Sequence, residues 1–167
     1  VLRSTSGMEL LDPVGTQVLR SHLLPLVDWV TPNLGELAAL TGQGVAHRDD
    51  LHRASQALQN SIDASTNGRR LGIFATGGHL DPPDDFLLLP SGEGIWLPGK
   101  KVVTESTHGT GCALSSAFLS RLVLGDLPQE AALAAKAYVA QALRTAPGIG
   151  SGHGPMDHLW PLRGSSA

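Results

Sequence analysis

The stretch S-T-H-G-T-G-C-A-L-S-S-A-F, Ser106–Phe118, changes character at its midpoint. Its first half is polar and glycine-rich. Its second half carries small residues and an apolar repeat, with Leu114, Phe118 and then Leu122 spaced four apart, which predicts a helix from about Gly111 to about Leu124. The run Lys101–Val103 just upstream predicts a strand, so Thr107-His108-Gly109-Thr110-Gly111-Cys112 reads as a strand-to-helix loop. At such a junction the first backbone N–H groups of the helix are unpaired and the helix dipole is positive. Gly109 and Gly111 let the backbone approach a ligand closely, a geometry that suits the charge of a phosphoryl group. On spacing alone, a plain tight turn remains an equal reading.

Working outward, Leu26–Val30 predicts a buried strand that ends at Thr31-Pro32. Leu34, Leu37, Ala38 and Leu40 follow helical spacing, and Thr41-Gly42 stops that helix. A second helix is expected over Asp49–Asn60, with Leu51, Ala54 and Leu58 on one face and Asp49 or Asp50 as its cap. Ser65–Arg70 reads as a loop, Leu71–Ala75 as the next buried strand, and Thr76-Gly77-Gly78-His79 as its closing turn. Phe86–Leu89, a Pro90-Ser91-Gly92 turn and Gly94–Leu97 predict a hairpin or meander. A last helix, Ala-rich, is expected after Asp126, with Gln129 completing a capping box and Pro147-Gly148 ending it. This alternation predicts one α/β domain over residues 1–167, with a mainly parallel sheet flanked by helices.

Composition narrows the function classes. Apolar residues make up 41% and charged residues 16%, which fits a packed core and excludes a highly charged tail. A net charge of -3 supplies no footprint for nucleic acid, and no basic run or apolar stretch of about 18 residues points to a membrane. The one cysteine, Cys112, excludes an intrachain disulfide and points to a reducing, cytoplasmic compartment. In the first turn of its helix, its thiolate would face the positive helix end and could accept a proton from a hydroxyl. The alternative is a buried thiol that only packs. Asn33 and Glu36 share a face of another first helical turn. They could hold water around a Mg²⁺ on nucleotide phosphates, or simply cap the helix.

In order along the chain, S-G-x-x-L-L (Ser6–Leu11), T-P-N-L-G-E (Thr31–Glu36), G-G-H (Gly77–His79), T-H-G-T-G-C (Thr107–Cys112), A-K-A-Y-V (Ala135–Val139) and G-x-G-x-G-P…H (Gly148–His158) resemble the ribokinase-like superfamily. Within it they are most similar to the hydroxymethylpyrimidine/phosphomethylpyrimidine kinases of thiamine biosynthesis, which carry Cys where most relatives carry Asp at the position of Cys112. The resemblance implies phosphorylation of 4-amino-5-hydroxymethyl-2-methylpyrimidine and of its monophosphate, with ATP and Mg²⁺ as cofactors. It implies that Gly109, Thr110 and Gly111 form the anion hole and that Cys112 is the catalytic base. Thr76, Gly77, Gly78, His79, Thr107 and His108 fall to the nucleotide, and Asn33 and Glu36 to Mg²⁺. It also implies a homodimer, and family N-terminal strands lying before Val1-Leu2, itself read as a strand end. A pyridoxal kinase with the same loop and a non-catalytic nucleotide-binding module are the alternatives. Thr76 departs from the pattern, because relatives commonly carry Lys there.

Overall fold

A computed structural model describes residues 10–63, 70–150 and 152–163. The strand end expected at Val1-Leu2, and most of the loop expected over Ser65–Arg70, lie outside the described residues. Val1–Lys100 and Lys101–Ala167 form two compact units.

In the first unit, Asp12 caps helix α1 (Pro13–Val18), its carboxylate accepting the Gly15 N–H at 2.6 Å, with Pro13 supplying the fixed φ of a first helical residue. The helix runs on through a π turn, Leu19–Leu23, and a 3₁₀ turn, Leu24–Leu26. That turn corrects the expected strand over Leu26–Val30. Pro25 holds the chain helical through Leu26, which is left exposed, and β1 is only Trp29–Val30. Helix α2 (Leu34–Thr41) ends at Gly42 as expected. Helix α3 (Arg48–Asp63) buries Leu51, Ala54, Ser55, Leu58, Gln59 and Ile62, one stripe at helical spacing. Its expected cap is also corrected. Asp50 lies inside the first turn and reaches back, accepting the N–H groups of Ala46 (3.1 Å) and His47 (3.0 Å). Those two bonds, with Arg53 beside them, hold its carboxyl below the ordinary aspartate value of 3.8.

Strands β2 (Gly72–Ala75), β3 (Asp85–Leu88) and β4 (Gly94–Leu97) complete a sheet of order β1-β2-β3-β4. The α/β class holds, but the sheet is mixed. Only β1 and β2, joined through α2 and α3, run parallel, whereas β2–β3 and β3–β4 are antiparallel. The connections 76–84 and 89–93 are too short for the crossover of about a dozen residues that a parallel pair needs. Leu37, Leu51, Leu58, Ile73, Phe86 and Leu88 fill the core between sheet and helices, and the Phe86 and Trp96 rings pack at 4.7 Å.

Buried Gln59 pins α3 to the sheet. Its Nε2 donates to the carbonyls of Leu71 (2.7 Å) and Leu89 (2.9 Å), and its Oε1 accepts from Arg70 at 3.2 Å.

The second unit is a helical hairpin with a C-terminal segment. Helix α4 (Thr110–Val123) buries Ala113, Leu114 and Phe118, and α5 (Pro128–Arg144) buries Ala131, Ala132, Ala135, Val139 and Ala142. The alanines let two backbones approach closely. The capping box expected at Asp126 and Gln129 does not form, because the N-cap is Leu127, whose side chain has no acceptor, and only the return bond from Glu130 is made. Pro128 takes the first helical position, Glu130 accepts the Leu127 N–H at 3.3 Å, and Asp126 pairs with Arg121 instead. The strand expected at Lys101–Val103 does not form. Among the described residues nothing pairs with it, and Val103 is 95% exposed.

Gln59→Leu keeps the volume but takes the amide donor from one buried and one half-buried carbonyl. It is expected to lower stability by about 2 kcal/mol or more in urea unfolding. A change below about 0.5 kcal/mol would show that other donors serve those carbonyls.

Candidate active site

In the first unit, two of the motifs meet at the C-terminal ends of the parallel strands. Asn33 and Thr76 extend the β1–β2 ladder by one bridge, and the Thr76 N–H donates to the Pro32 carbonyl at 2.9 Å. Asn33–Glu36 and Thr76–His79 are therefore neighbours on the sheet edge where open α/β folds bind ligands. Asn33 and Glu36 form a reciprocal capping box. Asn33 Oδ1 accepts the Glu36 N–H at 2.9 Å, and Glu36 Oε2 accepts the Asn33 N–H at 3.0 Å. The capping role left open by the sequence is thus present. Asn33 and Glu36 offer oxygens of the kind Mg²⁺ takes, with one oxygen of each engaged in the cap.

The Thr76–His79 turn is fixed by residues that sequence reasoning missed. Buried Asp85 accepts the Gly77 N–H at 2.7 Å, and Asp84 accepts the Gly99 N–H at 2.9 Å. A Cβ on Gly77 would collide with the Asp84 carbonyl oxygen, so only glycine fits against that strand entry. Gly78 and His79 stay exposed at the tip. Arg48 reaches Asp84 at 3.6 Å while its guanidinium lies 4.1 Å from the centre of the Trp96 ring. The signal available was the pair Asp84-Asp85 at the mouth of a wholly apolar strand. Two acids entering a core need backbone donors.

In the second unit, the loop ahead of α4 is built on Thr107. Its carbonyl accepts both the hydroxyl of Thr110 (2.7 Å) and the Thr110 N–H (3.4 Å). Gly109 stands at the N-cap in the left-handed region, φ 80, and no side chain caps the helix. The N–H groups of the first turn, around Gly111 and Cys112, therefore present their donors and the positive end of α4 with no side-chain acceptor over them. Cys112 is exposed, so the reading of its thiol as a core residue is not what forms. Thr107 and His108 are exposed beside it, and His108 pairs with Pro155 of the C-terminal segment. The loop thus brings together Thr107, His108, Gly109, Thr110, Gly111 and Cys112 as expected, although an irregular segment rather than a strand leads into it.

A Cβ at Gly109 or Gly111 would meet nothing within 4 Å, but only Gly109 has positive φ. Gly109→Ala is therefore expected to lower stability by about 1 kcal/mol, while Gly111→Ala, in a helix, leaves it unchanged or raises it by up to about 1 kcal/mol. Equal effects of the two in thermal unfolding would contradict the left-handed assignment.

With this geometry in hand, comparison with known proteins is informative. The sequence profile of the phosphomethylpyrimidine kinase family matches residues 1–157. A hydroxymethylpyrimidine/phosphomethylpyrimidine kinase of Streptomyces coelicolor is 35% identical, over 97% of this chain and 62% of its own length. The fold is similar to an ADP complex of Bacillus subtilis pyridoxal kinase, with TM-score 0.80 and 27% identity over 93% of this chain and 58% of that one. It is also similar to phosphomethylpyrimidine kinase from Clostridium difficile 630, with TM-score 0.67 and 29% identity over 85% of this chain and 54% of that one. The chain spans less than two thirds of the length of these relatives. No described helix is long and apolar enough to cross a membrane. With a ribokinase-like α/β architecture and a family match that takes in every motif of both loops, the chain belongs to the phosphomethylpyrimidine kinase family.

Proposed function

We propose that this chain carries the phosphoryl-transfer loop of a kinase that phosphorylates 4-amino-5-hydroxymethyl-2-methylpyrimidine and then its monophosphate, using ATP. The observation that carries the reading is the uncapped, glycine-started N-terminus of α4 with the exposed thiol of Cys112 in its first turn. Family membership and the names of the relatives support the substrate class.

In this reading the substrate hydroxyl attacks the terminal phosphorus of ATP, its proton passes to Cys112 Sγ, and ADP leaves. The N–H groups that follow Gly109 donate to the phosphoryl oxygens as their charge is redistributed, with Gly109, Thr110 and Gly111 shaping the anion hole. Catalysis of this kind is mainly positioning and charge stabilisation. Thr76–His79 would face the nucleotide phosphates, and Thr107 and His108 would border the transferred group. Asn33 and Glu36 would hold Mg²⁺ through water, the ion neutralising phosphate charge. Thr76 brings a hydroxyl where the family pattern has Lys, so that cation for the phosphates is either absent or supplied from another position.

A pyridoxal kinase is the second reading, because the Bacillus subtilis pyridoxal kinase superposes with a TM-score of 0.80 against 0.67 for the Clostridium difficile enzyme. A nucleotide-binding module without turnover is the third, and a homodimer is the assembly that the family suggests.

Incubation with MgATP and, separately, hydroxymethylpyrimidine, its monophosphate and pyridoxal, followed by mass spectrometry, separates these readings. Phosphorylated pyrimidine is the expected product. Product from pyridoxal alone would transfer the assignment, and nucleotide binding without product from any substrate would leave the module or a part of a longer kinase, which the same assay on a chain extended upstream separates. Cys112→Ala is expected to lower turnover about 10²-fold or more with little change in stability. Near wild-type turnover would remove Cys112 as the base.

A further inference from the structure

The segment 152–163 is tied firmly to α5. The Asp157 N–H donates to the Ala142 carbonyl at 2.9 Å, Tyr138 Oη donates to the His158 carbonyl at 2.9 Å, and Trp160 Nε1 donates to the Tyr138 carbonyl at 3.1 Å. Asp157, 4% exposed, pairs with Arg163 at 2.9 Å and accepts the Leu159 N–H at 3.3 Å. The other end of the segment runs against the loop ahead of α4. The His108 N–H donates to the Gly154 carbonyl at 3.2 Å, and His108 and Pro155 form a parallel bridge. Gly154 is buried so closely that a Cβ there would stand 3.0 Å from both Ser106 Oγ and the Ile149 carbonyl. The segment is thus a strap with one end on α5 and the other on the loop.

One side chain on this strap addresses the loop. His153 Nδ1 lies 3.3 Å from Thr107 Oγ1. Thr107 is the residue whose carbonyl holds the hydroxyl and the N–H of Thr110, the first residue of α4. The contacts therefore form one chain from His153 through Thr107 to Thr110, next to the uncapped N–H groups. A hydroxyl donates or accepts, so the contact can be made with either neutral tautomer of the imidazole. The main-chain bridge one residue away has already ordered both partners, so the side-chain bond costs little additional entropy.

We propose that His153 is a positioning residue for the phosphoryl-transfer loop, holding Thr107 so that Thr110 and the first turn of α4 keep the orientation that phosphoryl transfer uses. It does not touch the reacting atoms. The catalytic half of the proposal rests on the kinase reading above. Its structural half does not.

Amide hydrogen exchange tests the structural half without any turnover. In His153→Ala, the His108 and Thr110 amides are expected to exchange roughly five- to tenfold faster, the factor that one neutral hydrogen bond is worth, while amides of α5 stay unchanged. His153→Asn, whose amide can occupy the position of Nδ1, is expected to restore protection, and His153→Gln is not. The double variant His153→Ala/Thr107→Val should exchange no faster than Thr107→Val alone, because both remove the same bond. Unchanged exchange in His153→Ala, additive effects in the double variant, or loss of protection spread through α5 would each overturn the proposal. In the turnover assay, on whichever substrate proves active, kcat is expected to fall about five- to tenfold in His153→Ala with KM for ATP unchanged, and to recover in His153→Asn. Faster exchange without a fall in kcat would refute the positioning role, and absence of turnover also in a chain extended upstream would refute the kinase reading while leaving the exchange result to stand.

Discussion

The start of α4 has donors without side-chain acceptors, and much of the second unit is arranged around that fact. A helix leaves its first four N–H groups without intrahelical partners, and two helices of the first unit close theirs with N-cap side chains. Asp12 covers α1, and Asn33 with Glu36 covers α2. At α4 the capping position is Gly109, which has no side chain to offer and adopts a left-handed backbone that turns the chain out of the way. Leaving such donors bare is unfavourable in a folded protein unless water or a ligand takes them. The exposed thiol of Cys112 lies in the same turn, and in the proposed reading the ligand is the transferred phosphoryl group.

The supports of this site explain why a glycine-rich loop holds one shape. Thr107 collects both donors of Thr110, His108 is bridged to Pro155, and the strap behind them is tied to α5 through Asp157, Tyr138 and Trp160. In the first unit the logic is similar. The turn at Thr76–His79 is held from below by Asp85 and by the close passage of Gly77 against Asp84, and it lies one bridge away from Asn33. Both loops are held by hydrogen bonds from residues outside them, Asp85 for the first and Gly154 for the second.

Much of this was legible in the sequence where the signal is local. The periodicity of Leu51, Ala54 and Leu58, the Thr41-Gly42 stop and the Gly94–Leu97 strand all formed, because burial and turn chemistry act over a few residues. The expectations that failed had separate causes, one a missing distant partner and the others local. Lys101–Val103 has strand composition, but no neighbouring strand offers it hydrogen bonds among the described residues. Leu26–Val30 was shortened by Pro25, whose effect reaches forward into a run of good strand formers. Helix α1 went unread although Asp12-Pro13 is a strong start signal, since too few apolar residues follow at helical spacing. The two loops were readable as turns at strand ends or helix starts, whereas the contacts of Asp85 and His153 with them were not. Their contacts span 8 and 46 residues; the acidic pair Asp84-Asp85 ahead of an apolar run was the one local sign of the first, and the second has none.

The central claim is that the N–H groups at the head of α4 receive the phosphoryl group. Titrating the isotopically labelled chain with MgATP and following backbone amide resonances tests it at single-residue resolution. The account predicts that the amides of Gly109, Thr110, Gly111 and Cys112 shift most in the second unit, and that α5 amides such as Val139 stay in place. Saturable nucleotide binding that leaves those four amides unmoved would contradict it.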